Sequence, residues 1–399
     1  MATQSTLRSG PPAYGSSVER RTGKSARATK SEDQRRRTKL ETSSLFPDPR
    51  DGQPAATEGV PTPPRGLCPS GDATTPVSGI ARLAASSPLV DEKRQTEYYL
   101  LPVKSLLNRC TSERVPFPWT VNPYRGCEFG CSYCYARYTH EYMELEPEDF
   151  ERKIYVKDAA GALARRELSG RGGTSMRGQH IAIGTATDPY QPAEEEFGTT
   201  RTVLEAMAER EGLSVSIITK SNRVLRDADV IRRISEKSEI SVNVTVTTLN
   251  QRLARRLEPR APRPDLRLAA VTKLREAGIA AGVFVMPVLP GITDRESDLD
   301  ALARAARDAG AQWLAANVLF LMPASLKVFL PFVEKEFPRL ARRYREWYTR
   351  NAYAPEEYRK KISAQFAALR AKYGMGSRPY VETEGKSQPS QLGLNWIAA

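Results

Sequence analysis

Three cysteines fall within eight residues, in the segment Asn122-Pro-Tyr-Arg-Gly-Cys127-Glu-Phe-Gly-Cys131-Ser-Tyr-Cys134-Tyr-Ala-Arg137. Thiolates are soft ligands that suit zinc and iron–sulfur clusters. The spacing, C-x3-C-x2-C, lets three thiolates wrap one face of a compact cluster. A [4Fe–4S] cube takes four ligands, so one iron would be left without a cysteine. An open metal position is where a substrate can bind. Gly126 and Gly130 supply the backbone freedom that a tight loop around a cluster requires. The alternative is a Cys3His zinc site completed by His140. The chain would then be a zinc-stabilised nucleic-acid-binding module without catalysis. The other cysteines are Cys68 and Cys110. An odd, clustered set argues against a disulfide framework.

The elements that position this loop are legible from Glu97 onward. Apolar, β-branched runs lie at Trp119–Val121, His180–Ala186, Leu213–Thr219, Ile240–Thr247, Ala281–Val288 and Trp313–Leu321. Helix-like segments lie between them at Lys157–Leu168, Thr199–Arg210, Asp227–Glu236, Leu266–Ala277 and Asp294–Ala309. Such alternation implies βαβ units and a parallel sheet. The fold class is α/β, and six strands predict a partial (β/α)6 barrel. Function in such barrels sits at the C-terminal strand ends. The cysteine loop follows the first strand. Thr185, Thr187 and Asp188 end the second, Thr219 and Lys220 the third, and Thr247 the fourth.

Residues 1–95 are rich in Ser, Thr, Pro, Gly and Arg and poor in aromatics. That composition cannot bury enough apolar area to offset chain entropy, so a disordered tail is expected. The core is expected over 96–325, a helical extension over 326–375 and a C-terminal tail over 376–399. The formal net charge is +13, of which the first 95 residues hold +5. Such an excess is compatible with nucleic acid as a partner. No run approaches the roughly 20 apolar residues of a membrane span. A cytoplasmic location with no membrane partner is the expectation.

The cysteine spacing, with an aromatic before the third cysteine, resembles the radical S-adenosylmethionine superfamily. The words Asn122-Pro-Tyr-Arg-Gly-Cys127, Cys134-Tyr-Ala-Arg137, Thr187-Asp-Pro-Tyr-Gln-Pro192, Thr219-Lys-Ser221 and Glu258-Pro259 resemble its branch related to spore photoproduct lyase, over about residues 97–325. The resemblance implies that S-adenosyl-L-methionine chelates the fourth iron and that an electron, from a donor such as flavodoxin or ferredoxin, cleaves it. A 5′-deoxyadenosyl radical then abstracts hydrogen from a substrate. The metal ligands would be Cys127, Cys131 and Cys134.

Site residues follow from the same resemblance. Tyr133 matches the aromatic beside the cofactor's adenine. Thr185, Thr187 and Asp188 stand where a Gly-Gly-Glu word is usual, and Asp188 would accept from the ammonium of S-adenosylmethionine. Lys220 matches a lysine that pairs with the cofactor carboxylate. Thr247 would bond its ribose or carboxylate. Arg125 and Arg137 flank the loop, as donors to sulfide or an acidic substrate, or as surface ion pairs. Spore photoproduct lyase returns hydrogen from a cysteine downstream of the motif. No cysteine follows Cys134 here, so the substrate stays open, with nucleic acid the leading candidate.

Overall fold

The β-branched runs form strands, and the stretches between them coil as their apolar spacing dictates. The computed structural model describes residues 79–93, 96–111, 117–170 and 176–377. The strands among them are β1 (Leu89–Lys93), β2 (Thr96–Leu101), β3 (Leu107–Arg109), β4 (Trp119–Val121), β5 (Tyr124–Arg125), β6 (Lys153–Lys157), β7 (His180–Ile183), β8 (Ser214–Thr219), β9 (Glu239–Thr245), β10 (Ala280–Val288) and β11 (Leu314–Val318).

The larger sheet has the order β11-β10-β9-β8-β7-β4-β3. Its six strands from β4 to β11 are parallel and adjacent in chain order, while β3 runs antiparallel to β4 at the edge. This is the partial α/β barrel expected. Period-two alternation sorts the strand side chains. Val121, Ile183, Ile217, Val244 and Val283 face the helices, where Leu204, Ile231, Val271 and Leu302 meet them in one buried cluster. Each such side chain contributes roughly 1.5–3 kcal/mol on burial. The opposite face carries Thr120, Ser216, Asn243 and Thr245, all buried. These polar groups find partners inside the barrel. His180 bonds the hydroxyls of Ser214 and Ser216 at 2.9 and 3.0 Å, and Trp313 Nε1 donates to Asn243 Oδ1 at 2.9 Å.

A second sheet, β1-β2-β6-β5, was not expected. It holds the cysteine loop from outside. The disordered tail expected over 1–95 lies outside the described residues as far as residue 78. From Gly79 the expectation is corrected: Gly79–Ser86 is helical and β1 pairs antiparallel with β2. Ala84 buries against Leu101, Met143 and Tyr155, which stabilises these elements despite the polar composition around them. The helical extension comprises Pro323–Glu336, Ala341–Tyr348 and Glu356–Tyr373. The first helix crosses the expected boundary at 325 and packs Phe329 and Val333 into the same cluster as Cys127, Cys131 and Tyr133. Extension and core therefore share apolar contacts around the cysteine loop. Of the extension's aromatics, Phe329, Tyr344, Tyr348 and Phe366 are buried, while Trp347, Tyr353 and Tyr358 are half-buried. Tyr344 and Tyr348 donate to the carbonyls of Pro290 and Leu319.

Candidate functional site

The loop that carries the thiols is fixed by backbone contacts. Gly126 has φ +82°, and a Cβ there would meet the carbonyl oxygens of Lys153 and Phe150 at 2.8 and 2.9 Å. Only glycine fits this approach. It lets Cys127 N donate to Phe150 O at 2.9 Å. Further along, Ser132 N donates to Leu257 O at 3.0 Å and Ser325 Oγ to Cys134 O at 2.9 Å.

Cys127 and Cys131 are buried, Cys134 is partly so, and all three are free thiols. Burial pushes the Cys127 thiol well above its ordinary value, and the charges of Asp188 and the other two thiols push it further. Burial raises Cys131 to about 12, opposed by Lys220. Burial also raises Cys134, opposed by Arg137. Three buried thiols within electrostatic reach of one another are costly as bare thiolates. An iron–sulfur cluster removes that cost, because its cationic irons take thiolate ligands. The donor set therefore fits the cluster.

The zinc alternative is not supported by the geometry. His140 is fully buried, its Nε2 lies 3.0 Å from Lys153 O, and its ring packs edge-on against Phe150 and Tyr155. Among the described residues no three His, Cys, Asp or Glu side chains gather closely enough for one metal ion.

Lys220 closes the opposite side. Its Nζ lies 5.7 Å from the Tyr133 ring centre and makes no hydrogen bond or ion pair among the described residues. Burial lowers its pKa, but the negative charges of Cys131 and Glu258 more than offset this, so the net shift is upward. The ammonium is within electrostatic reach of Cys131 and Cys134.

Asp188 is already engaged within the protein. Its Oδ1 accepts from Thr219 Oγ1 at 2.6 Å and from Tyr190 N at 3.0 Å, and its Oδ2 from Lys220 N at 2.7 Å. It thus ties the end of β7 to the end of β8 and fixes the backbone of Lys220. Burial raises its pKa, while these donors hold it down.

Thr187 Oγ1 donates to Gly126 O at 2.6 Å, and Gln191 bridges Gly126 O, Thr187 Oγ1 and Glu128 N. Thr185 exchanges hydrogen bonds with Asn122. The whole Thr187–Pro192 word therefore braces the cysteine loop. Thr247 Oγ1 donates to Glu258 Oε1 at 2.8 Å and lies 3.2 Å from the Tyr133 hydroxyl, which also donates to Glu258.

Glu258 and its partner Arg267 are the residues that sequence reasoning undervalued. Both are 1% exposed, and Arg267 Nη2 meets Glu258 Oε2 at 2.5 Å. Burial opposes the Glu258 charge, but Arg267, Lys220 and the Tyr133 hydroxyl bring its pKa below the usual range. The signal was present: Arg267 interrupts the buried stripe Pro264, Ala270, Val271, Leu274 of its helix. Arg137, expected as a donor to sulfide or an acidic substrate or as a surface ion pair, does not lie at the surface. It is 1% exposed and binds Pro147 O, Glu151 Oε2 and Cys131 O, stitching the loop together.

A parallel α/β partial barrel with three loop thiols after its first strand defines a class of cluster-bearing barrels, and similarity to known proteins gives the family. The Radical SAM superfamily model matches residues 121–303. An uncharacterised protein of Mycobacterium tuberculosis (strain ATCC 25618 / H37Rv) is 37% identical over 296 residues, covering 73% of this chain and 86% of that protein. An uncharacterised protein of Methanocaldococcus jannaschii is 30% identical over 178 residues, covering 45% of this chain and 63% of that protein. A spore photoproduct lyase mutant solved with bound AdoMet and dinucleoside spore photoproduct superposes with a TM-score of 0.54 at 15% identity, covering 73% of this chain and 86% of that one. The chain belongs to the radical S-adenosylmethionine superfamily, and it shares the fold of spore photoproduct lyase. No helix among the described residues is long and apolar enough to cross a membrane.

Proposed function

We propose that the chain is a radical S-adenosylmethionine enzyme in which Cys127, Cys131 and Cys134 hold a [4Fe–4S] cluster. The observation that carries this is the placement of three free thiols, two buried and one half-buried, within electrostatic reach of the Lys220 ammonium at the C-terminal ends of parallel strands. When bound, the cluster and S-adenosyl-L-methionine supply reductive cleavage to a 5′-deoxyadenosyl radical, which takes hydrogen from the substrate.

The chain's own residues bind and orient the cofactor. Lys220 pairs with its carboxylate. Asp188 positions Lys220 through the backbone. Tyr133 offers its ring to the adenine, with its hydroxyl locked by Glu258 and Thr247. Thr185 ties the second strand end to Asn122, and Thr187 ties it to Gly126 of the cysteine loop. The apolar cluster of Phe129, Leu257, Leu321 and Phe329 excludes water from the thiols.

The electron would come from a flavodoxin or ferredoxin, in the cytoplasm. Nucleic acid is the favoured substrate class, supported by the charge of +13 and by the dinucleoside bound to the structural relative. The experiment is anaerobic turnover of labelled S-adenosylmethionine with and without DNA. Deoxyadenosine that rises with DNA supports the reading; cleavage indifferent to DNA removes nucleic acid from it.

A further inference from the structure

Two cations beside the cysteine loop have no use in the chemistry above. Lys157 ends β6 and Arg125 ends β5. The antiparallel register pairs Arg125 with Tyr155, so Lys157 is its diagonal neighbour on the same face of the sheet. Diagonal neighbours of this kind stand roughly 7–8 Å apart, within reach of long side chains.

Lys157 is 95% buried, at 5% exposure. Its ammonium makes no hydrogen bond or ion pair among the described residues. The charges it feels are the repulsion of Arg125 and the attraction of Glu167, and burial with that repulsion brings it down to about 7. Glu167 is already engaged, accepting from Leu106 N and Leu107 N at 3.1 and 2.8 Å. Arg125 is half-buried, and its Nε is buried with no hydrogen-bond partner among the described residues. A buried cation beside a second cation is destabilised unless a counter-charge joins them.

We propose that Arg125 and Lys157 form a binding site for a phosphate group, placed beside the cysteine loop to hold a phosphate-bearing substrate. Phosphate is favoured over carboxylate because an Arg fork with a Lys point charge is a recurrent phosphate pair. The site takes its catalytic meaning from the reading above, but phosphate binding does not require that reading to hold.

The test is calorimetric titration of inorganic phosphate into the full-length reconstituted protein, with ionic strength held by chloride and acetate as the carboxylate comparison. Saturable phosphate binding is expected, tighter than acetate. Lys157→Met should weaken it by about tenfold or more, as loss of a charged hydrogen bond does. Lys157→Arg should keep most of it. Lys157→Met should also melt no lower than the parent in phosphate-free buffer, because it removes an unpaired buried charge. Absent binding, equal affinity for acetate, an unaffected Lys157→Met, or a lower melt of that variant would each overturn the proposal. Iron content and deoxyadenosine formation, measured on the same samples, separate this failure from failure of the cluster reading.

Discussion

Removing the Arg267 guanidinium should unbalance the whole floor under Tyr133. Arg267→Met strands the Glu258 carboxylate, which is 1% exposed and contacts no other cation at hydrogen-bond distance among the described residues. Breaking one side of a buried pair costs about 3–5 kcal/mol. The Pro262 and Thr245 carbonyls also lose their donors at 2.7 and 3.1 Å. The assay is urea unfolding of the full chain at pH 7 and pH 5. Without Arg267, the Glu258 pKa in the folded state rises above its unfolded value. Stability is then retained at low pH, where the carboxyl is protonated, and lost as pH climbs through the raised pKa. The deficit should therefore be larger at pH 7 than at pH 5. Glu258→Gln combined with Arg267→Met should recover much of it, since a neutral amide still accepts from Tyr133. A deficit below about 1 kcal/mol, or one independent of pH, would refute the claim that this pair is buried and mutually dependent.

Other perturbations test neighbouring parts. Lys220→Met should lower S-adenosylmethionine affinity roughly tenfold to a hundredfold, the worth of a charged hydrogen bond, while iron content in the reconstituted protein stays at the parent level. Gly126→Ala should deplete bound iron and shift the absorption of the reconstituted protein, because its Cβ would strike two backbone oxygens under 3 Å away. His140 is held by burial at about 4, against 6.5 when exposed. The unfolded chain therefore takes up a proton between pH 6.5 and 4 that the folded chain does not, and stability falls across that window. The cost from this fully buried ring is about 3 kcal/mol. His140→Phe should flatten the acid limb of an unfolding-versus-pH curve.

What was legible in the sequence is what local pattern encodes. The six parallel strands announced themselves by β-branched runs, and the three thiols by spacing. The small sheet did not. Its strand Leu89–Lys93 is short and charged, and averaging composition over the first 95 residues hid it. The bracing of the site was equally hidden, because it is long-range. Tyr133 and Glu258 are 125 residues apart, and Asp188 reaches Lys220 across two strands. Strand-end hydroxyls that looked free for a cofactor, Thr187 and Thr247, are engaged inside the protein, since buried hydroxyls seek partners wherever the fold brings them. The Lys220 ammonium, by contrast, has no hydrogen bond or ion pair among the described residues.

The most direct test is metal content and product analysis after anaerobic reconstitution. Four irons per chain, with 5′-deoxyadenosine formed on reduction in the presence of S-adenosylmethionine, and both lost in Cys127→Ser, is the expected result. One zinc per chain with no deoxyadenosine, or deoxyadenosine still formed by Cys127→Ser, would contradict it.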